Sequence, residues 1–166
     1  MDNRFSKAQF ASIVGIVANI ILALIKGIAG VIANSRALIA DAFHSASDVI
    51  SSAAVLIGIR AAQKPPDPEH PYGHGKAENI ATLIVAILLI IVGFEIMLDS
   101  IKALWSNEFK ETKTLALYVI IFSIIVKEAL FQYKYRLGKK INSPAIVADA
   151  WHHRSDAISS VIALAG

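Results

Sequence analysis

Cysteine is absent from the 166-residue chain, which excludes disulfides and thiolate metal ligands together. Charge is scarce. Asp, Glu, Lys and Arg make up 17% of the residues against 55% hydrophobic, and the mean hydropathy is +0.58, whereas about 25% charged is usual for a soluble domain. There is no glycine-rich phosphate loop of the kind an ATP-driven pump needs, and no HExxH of a metalloprotease. Nothing at the N-terminus reads as a cleaved signal, because the apolar run after Lys7 is too long and no small-residue cleavage site follows it. What the chain has instead is a series of apolar blocks of about twenty residues or more, the length a helix needs to cross the hydrocarbon of a bilayer. This is the composition of an integral membrane protein.

Five spans are expected: Phe10–Ile32, Ala37–Ala62, Ala77–Leu104, Thr114–Leu137 and Pro144–Gly166. Turn and breaker residues separate them: Asn34–Arg36, a Pro-rich loop over Gln63–Lys76, Ser106–Lys113 and Gly138–Ser143. The expected fold class is an all-α polytopic transmembrane helix bundle, one transmembrane domain over 1–166. The formal charge of +3 sits at the ends of the apolar blocks, so it reads as membrane orientation and not as a nucleic-acid surface. Arg4, Lys7, Arg60, Lys64, Lys76, Lys134, Arg136, Lys139 and Lys140 fall on one side of the bundle. The positive-inside bias then makes the N-terminus and the Pro-rich loop cytoplasmic, and a bacterial inner membrane is the expected location.

Into these apolar blocks the chain sets one polar motif twice. DAFHSASDVISS (Asp41–Ser52) returns as DAWHHRSDAISS (Asp149–Ser160), and the match extends over Asn34–Gly58 and Asn142–Gly166. The copies lie on the second and fifth spans, which run in opposite directions, so the pattern is that of antiparallel repeats meeting near the midplane. His44 and Asp48, like His152 and Asp156, are four apart and share one helix face. An aspartate at that depth costs several kcal/mol (about 3 on insertion scales) unless it is paired, protonated or bound to a cation. Two imidazoles and two carboxylates suit four-coordinate, tetrahedral zinc, and their summed charge of about minus two matches a divalent ion. Metal and protons would compete for such a site, which is the core of an antiporter. The plainer reading makes each His–Asp pair a packing hydrogen bond.

The paired HxxxD motifs, with HPYGHGKAE after the second span, resemble the cation diffusion facilitator family of divalent metal-ion/proton antiporters over essentially the whole chain. The resemblance implies that His44, Asp48, His152 and Asp156 form the transport site. The His-Asp-His-Asp set is similar to that of zinc-type members, with Cd2+, Co2+ or Fe2+ as further cargo, and imidazole softness points the same way. It also implies six spans, a cytoplasmic metal-binding domain and a homodimer, whereas this chain stops at ALAG near the end of its fifth span. The expected function is therefore export of a divalent cation, most simply Zn2+, in exchange for protons, with no enzymatic chemistry. The alternative is a metal-binding fragment, sensor or assembly subunit that binds zinc without moving it.

Other residues have two readings each. Asp41 and Asp149, three before each histidine, either steer ions toward and away from the site or hydrogen-bond to neighbouring helices. In the loop, Asp67, His70 and His74 have a D-x2-H-x3-H spacing, and the family often has a second metal site there; a merely polar loop is the alternative. Glu78 is a further ligand or a helix N-terminal charge. Lys26, Glu95, Asp99, Lys127 and Glu128 are expected to pair across helices, Arg154 to pair with an acid on another helix, and His153 to fall off the ligand face.

Overall fold

The structure, a computed structural model, describes residues 2–106 and 114–165, so the predicted Ser106–Lys113 connection lies outside the described residues beyond Ser106 itself. All the described secondary structure is helical: α1 (Asp2–Ile32), α2 (Arg36–Ala62), α3 (Lys76–Ser106), α4 (Thr114–Lys140) and α5 (Pro144–Ala165). The three described connections fall where breaker residues predict them. Helices α1 to α4 contain segments long and apolar enough to cross a membrane. Helix α5, expected as a fifth span, is less apolar than these four because it carries Asp149, Arg154 and Asp156 within its length.

The outside is apolar, and the interior sets many polar side chains beside an apolar core that includes Val55, Ile59, Val85 and Ile146, an arrangement expected where lipid is the solvent. Ile13, Ile20, Leu24, Ile57, Leu83, Ile90 and Ile125 point outward, while Ser12, Asn19, Lys26, Ser52, Lys127, Lys134, Asp149 and Asp156 are buried. Small residues let the helices approach closely. A methyl on Gly58 of α2 would land on Ala81 of α3.

The repeat is larger than the motif. At the α1–α2 turn Asn34 takes φ 50°, Ser35 N–H donates to Gly30 O (2.8 Å), and Ser35 Oγ accepts from Leu38 N–H (3.3 Å). At the α4–α5 turn Asn142 takes φ 49°, Ser143 N–H donates to Gly138 O (2.9 Å), and Ser143 Oγ accepts from Ile146 N–H (3.4 Å). The two turns are one device built twice. Asparagine tolerates the left-handed backbone that ends one helix, and serine caps the next. The repeating unit is thus a helical hairpin, α1–α2 and α4–α5, and not a single helix.

The two hairpins cross with α2 antiparallel to α5. His44 lies against Asp156 (3.5 Å), Asp48 against His152 (3.2 Å) and Ser52 against Asp149 (3.2 Å), so the partner number falls along α5 as the residue number rises along α2. At one end, here the loop end, Arg4 donates to Glu78 (2.8 Å) and to the carbonyls of Ile141 and Asn142 (2.8 and 2.9 Å), while Ser143 Oγ donates to Glu78 (2.5 Å). These bonds tie the starts of α1 and α3 to the α4–α5 turn. Glu78 stands in the first turn of α3 as expected of a helix N-terminal charge, but its carboxylate is taken up by Arg4 and Ser143. Lys134 is not a surface orientation charge: it is buried in an ion pair with Asp149.

Candidate metal centre

Asp48 and Asp156 each lie about 18 Å from the first residue of their helix, at ~1.5 Å rise per residue. The antiparallel crossing brings them to the same level. Around them His44 Nε2 stands 3.5 Å from Asp156 Oδ1 and 3.9 Å from Asp48 Oδ1, and His152 Nε2 stands 3.2 Å from Asp48 Oδ1 and 3.9 Å from Asp156 Oδ2. A tetrahedral ion with bonds of ~2.0–2.1 Å needs donors about 3.4 Å apart, so these spacings are close to a ready-made shell. His44, Asp48 and Asp156 offer donor atoms that all lie within 4.8 Å of one another, with His152 beside Asp48. Among the described residues, Asp156 Oδ1 is buried without a hydrogen-bond partner, as is His152 Nδ1. Buried polar atoms are rarely left so, and this carboxylate oxygen lies 3.5 Å from His44 Nε2. The structure thus brings together all four residues that the repeat singled out.

A fifth group joins them. Lys127 of α4 donates to Asp48 Oδ2 (2.8 Å) and Asp156 Oδ2 (2.7 Å) and is 1% exposed. Sequence reasoning expected a cross-helix pair for this lysine without placing it on the two central carboxylates.

Asp41 and Asp149 each meet a lysine of the first helix of their own hairpin. Lys26 pairs with Asp41 (2.9 Å) and donates to Ser45 (2.9 Å). Lys134 pairs with Asp149 (2.5 Å) and lies 2.9 Å from His153 Nε2. Lysine, aspartate and acceptor occupy matching positions in the two hairpins, so His153 is the counterpart of Ser45. His153 is off the ligand face, as expected. The signal was in the sequence: continuing the repeat's alignment backward from Asn34 and Asn142 matches Gly30 with Gly138 and Lys26 with Lys134. The pairs flank the central cluster on opposite sides, and they differ in closure. Asp41's side chain is 27% exposed, Asp149's not at all.

Arg154 departs from expectation. Among the described residues it pairs with no acid and lies instead over the Phe131 ring (4.4 Å) and near Trp151 (5.8 Å), a contact that offsets part of its desolvation without an anion. Glu128 accepts from Gln132 within its own helix (2.9 Å), so among the described residues its partner is local and not on another helix. The side chains of Glu95 and Asp99, for which pairing was expected, lie outside the described residues.

In the Pro-rich loop, Asp67, His70 and His74 also offer donor atoms within 4.8 Å of one another. Asp67 Oδ1 accepts from His70 N–H (2.7 Å) and lies 3.1 Å from His70 Nδ1, while Asp67 Oδ2 is 3.4 Å from His74 Nε2. His74 Nδ1 lies 3.3 Å from Pro65 O, which turns Nε2 toward the aspartate. Gly73 takes φ 78°, the left-handed backbone that closes the turn. Desolvation, the largest single effect, pushes the Asp67 carboxyl up, but the His70 N–H and ring and the charges of His70 and His74 together outweigh it, so the carboxyl sits below its ordinary range.

Residues 12–166 match the family model described as the cation efflux transmembrane domain. The chain is 44% identical over 154 residues to an uncharacterized transporter of Methanocaldococcus jannaschii, covering 93% of this chain and 54% of that protein. It is 40% identical over 155 residues to the manganese efflux system protein MneP of Bacillus subtilis, covering 93% and 52%. It is 41% identical over 167 residues to a metal tolerance protein of Arabidopsis thaliana, covering 92% and 36%. The chain therefore spans about half the length of the archaeal and bacillar relatives, and less of the plant one.

Proposed function

The chain belongs to the cation efflux, or cation diffusion facilitator, family, and from that premise we propose that it is the transmembrane transport unit of a secondary transporter. Its cargo is a divalent metal cation, Zn2+, carried from the cytoplasm in exchange for protons through His44, Asp48, His152 and Asp156. The observation that carries this reading is the meeting of two His–Asp pairs from antiparallel helices at mid-depth, 3.5 Å apart at His44–Asp156 and 3.2 Å at His152–Asp48, with His44, Asp48 and Asp156 as the tight donor set and His152 beside it.

The choice of ion rests on the donor set. Imidazole nitrogen favours zinc over manganese, and a four-donor shell of this spacing suits a tetrahedral ion. A manganese efflux protein among the relatives makes Mn2+ the competing cargo. Proton exchange follows from ligand chemistry: imidazole and carboxyl groups must shed protons to bind a cation, so metal and protons exclude each other at one set of atoms. The positive-inside bias places the loop end, with its basic residues and the Asp67–His70–His74 cluster, in the cytoplasm. There the cluster forms a second metal site, reached before the intramembrane one. Two transport units pair as a homodimer in the complete protein.

The test is metal flux into proteoliposomes under an imposed pH gradient, with Zn2+ and Mn2+ in parallel, for the protein and its Asp156→Ala variant. Zinc flux that follows the gradient, exceeds manganese flux and disappears in the variant is expected. Preferred manganese flux overturns the choice of ion. Zinc binding that Asp156→Ala abolishes, without flux in the parent, replaces transport with binding.

A further inference from the structure

We propose that Lys127 is a fixed counter-charge of the intramembrane site, a positioning residue that loosens the site's hold on a divalent cation so that the cargo can leave. The inference rests on the reading of that site as the transport site.

The placement of the two carboxylates is the first observation. Lys127 takes Oδ2 of Asp48 and Oδ2 of Asp156, one acid from each hairpin, although α4 itself supplies none of the four donors. The opposite oxygens face away from the ammonium. Asp48 Oδ1 looks onto His152 and His44, and Asp156 Oδ1 looks onto His44 with its hydrogen-bonding capacity unused. His152 approaches Asp156 through Oδ2 (3.9 Å), the oxygen that Lys127 also takes, so the space clear of the ammonium is the one between His44 and the two Oδ1 atoms, and a cation held there does not need the ammonium's place. Lys127 is buried, and among the described residues these two carboxylates are its hydrogen-bond acceptors. It stays in the site while the cargo is bound.

The second observation separates this role from packing. The hairpin repeat aligns Lys127 of α4 with Asn19 of α1, a residue equally buried whose amide nitrogen and oxygen have no hydrogen-bond partner among the described residues. The same hairpin is thus built once with a lysine and once with an amide at this position. Neither the turn, the glycine contact nor the flanking Lys–Asp pair depends on the difference. What the lysine adds is a positive charge, on one side of an otherwise repeated arrangement.

That charge has a direct consequence. It offsets half of the charge of the carboxylate pair, and it repels a doubly charged ion from a short distance where water is excluded. Two ammonium–carboxylate hydrogen bonds help to hold the acids in place, but repulsion between a single and a double charge at this range outweighs that gain. Four good donors without a counter-charge would bind the ion tightly and release it slowly. Carriage across a membrane requires a site favourable enough to fill and weak enough to empty.

The experiment compares Lys127→Asn (the residue carried by the other hairpin), Lys127→Met and Lys127→Arg in the full protein. All are made in a background with Asp67→Ala and His70→Ala, so that the loop contributes no binding. Affinity for Zn2+ and for Mn2+ is read by competition with a chelating fluorophore, and flux by the proteoliposome assay. The neutral variants are expected to bind both ions about tenfold tighter or more and to carry less at saturating metal, while Lys127→Arg keeps the parent's affinity. A lysine that served only to brace the site would weaken binding when removed.

Neutral variants that bind no tighter than Lys127→Arg, with Asp156→Ala still abolishing binding, overturn the role of Lys127 alone. Binding that survives Asp156→Ala overturns the transport-site reading and this proposal with it. Loss of the folded state in both neutral variants makes the lysine a requirement of the fold and likewise overturns the proposal.

Discussion

A buried lysine is stable in a bilayer only beside an anion, and this chain places three of them on four aspartates. The Lys134–Asp149 pair is the most enclosed, with both side chains at 0% exposure, whereas Asp41 of the equivalent Lys26 pair is 27% exposed. Removing one partner of an enclosed pair leaves the other charge unpaired, at about 3–5 kcal/mol. Asp149→Ala is accordingly expected to destabilise the protein by about that amount in denaturant unfolding, and Asp41→Ala by clearly less. The Lys134→Met, Asp149→Leu double variant is expected to recover most of the loss. A double variant as unstable as Asp149→Ala would show that the position needs polar contacts with Ser52 or His153, and not merely charge balance. The four metal-ligand candidates could be read from the sequence because HxxxD is a local pattern on one helix face. Lys127's part in the site could not, because its partners are on α2 and α5 and the rotation of α4 against them leaves no mark in spacing.

At the scale of elements, the hairpins depend on glycine where helices touch. A methyl on Gly30 would lie 2.8 Å from Ile39 Cγ1 and 3.0 Å from Ile39 N, and one on Gly138 would lie 2.8 Å from Val147 Cγ2 and 3.1 Å from Val147 N. A backbone atom cannot rotate away, so each hairpin would have to open. Gly30→Ala and Gly138→Ala are expected to cost about 1–3 kcal/mol apiece in thermal or denaturant unfolding. A methyl on Gly93 would meet nothing within 4 Å among the described residues, and Gly93→Ala is expected to be neutral or to stabilise by up to about 1 kcal/mol through helix propensity. Equal effects at all three glycines would mean that propensity, and not close approach, explains them. The other helix boundaries were legible within a few residues because Asn-Ser turns, prolines and apolar block lengths are local signals, but α1 begins at Asp2, eight residues before the expected Phe10, because its first two turns are polar and carry no apolar-block signal. The hairpin repeat was plain from Asn34 and Asn142 onward and faint before them. Its first helices share few identities beyond Gly30 with Gly138 and Lys26 with Lys134, since lipid-facing positions accept any large apolar residue.

For the whole molecule, the antiparallel crossing requires the α1–α2 and α4–α5 turns to stand at opposite membrane surfaces. The absence of cysteine from the chain makes a direct test simple. A single cysteine at Asn34 and one at Lys140, at the α4–α5 turn, are expected to react with a membrane-impermeant maleimide from opposite sides of sealed vesicles, Lys140→Cys from the cytoplasmic side. Reaction from the same side would remove the inverted arrangement on which the central site depends.

Composition alone determined that the chain lives in a bilayer, because a charged share of 17% cannot cover a water-soluble surface of this size. Local spacing determined the helices, their turns and the two His–Asp pairs, because one turn of helix is a contact that a single chain segment makes with itself. Tertiary structure decided the rest: that the pairs meet at 3.2 and 3.5 Å, that Lys127 bridges the far oxygens of Asp48 and Asp156, and that Asp41 and Asp149 are each held by a lysine. Those contacts depend on the depth and rotation of whole helices against one another, and these are set by close packing summed over the bundle, not by any one stretch of residues.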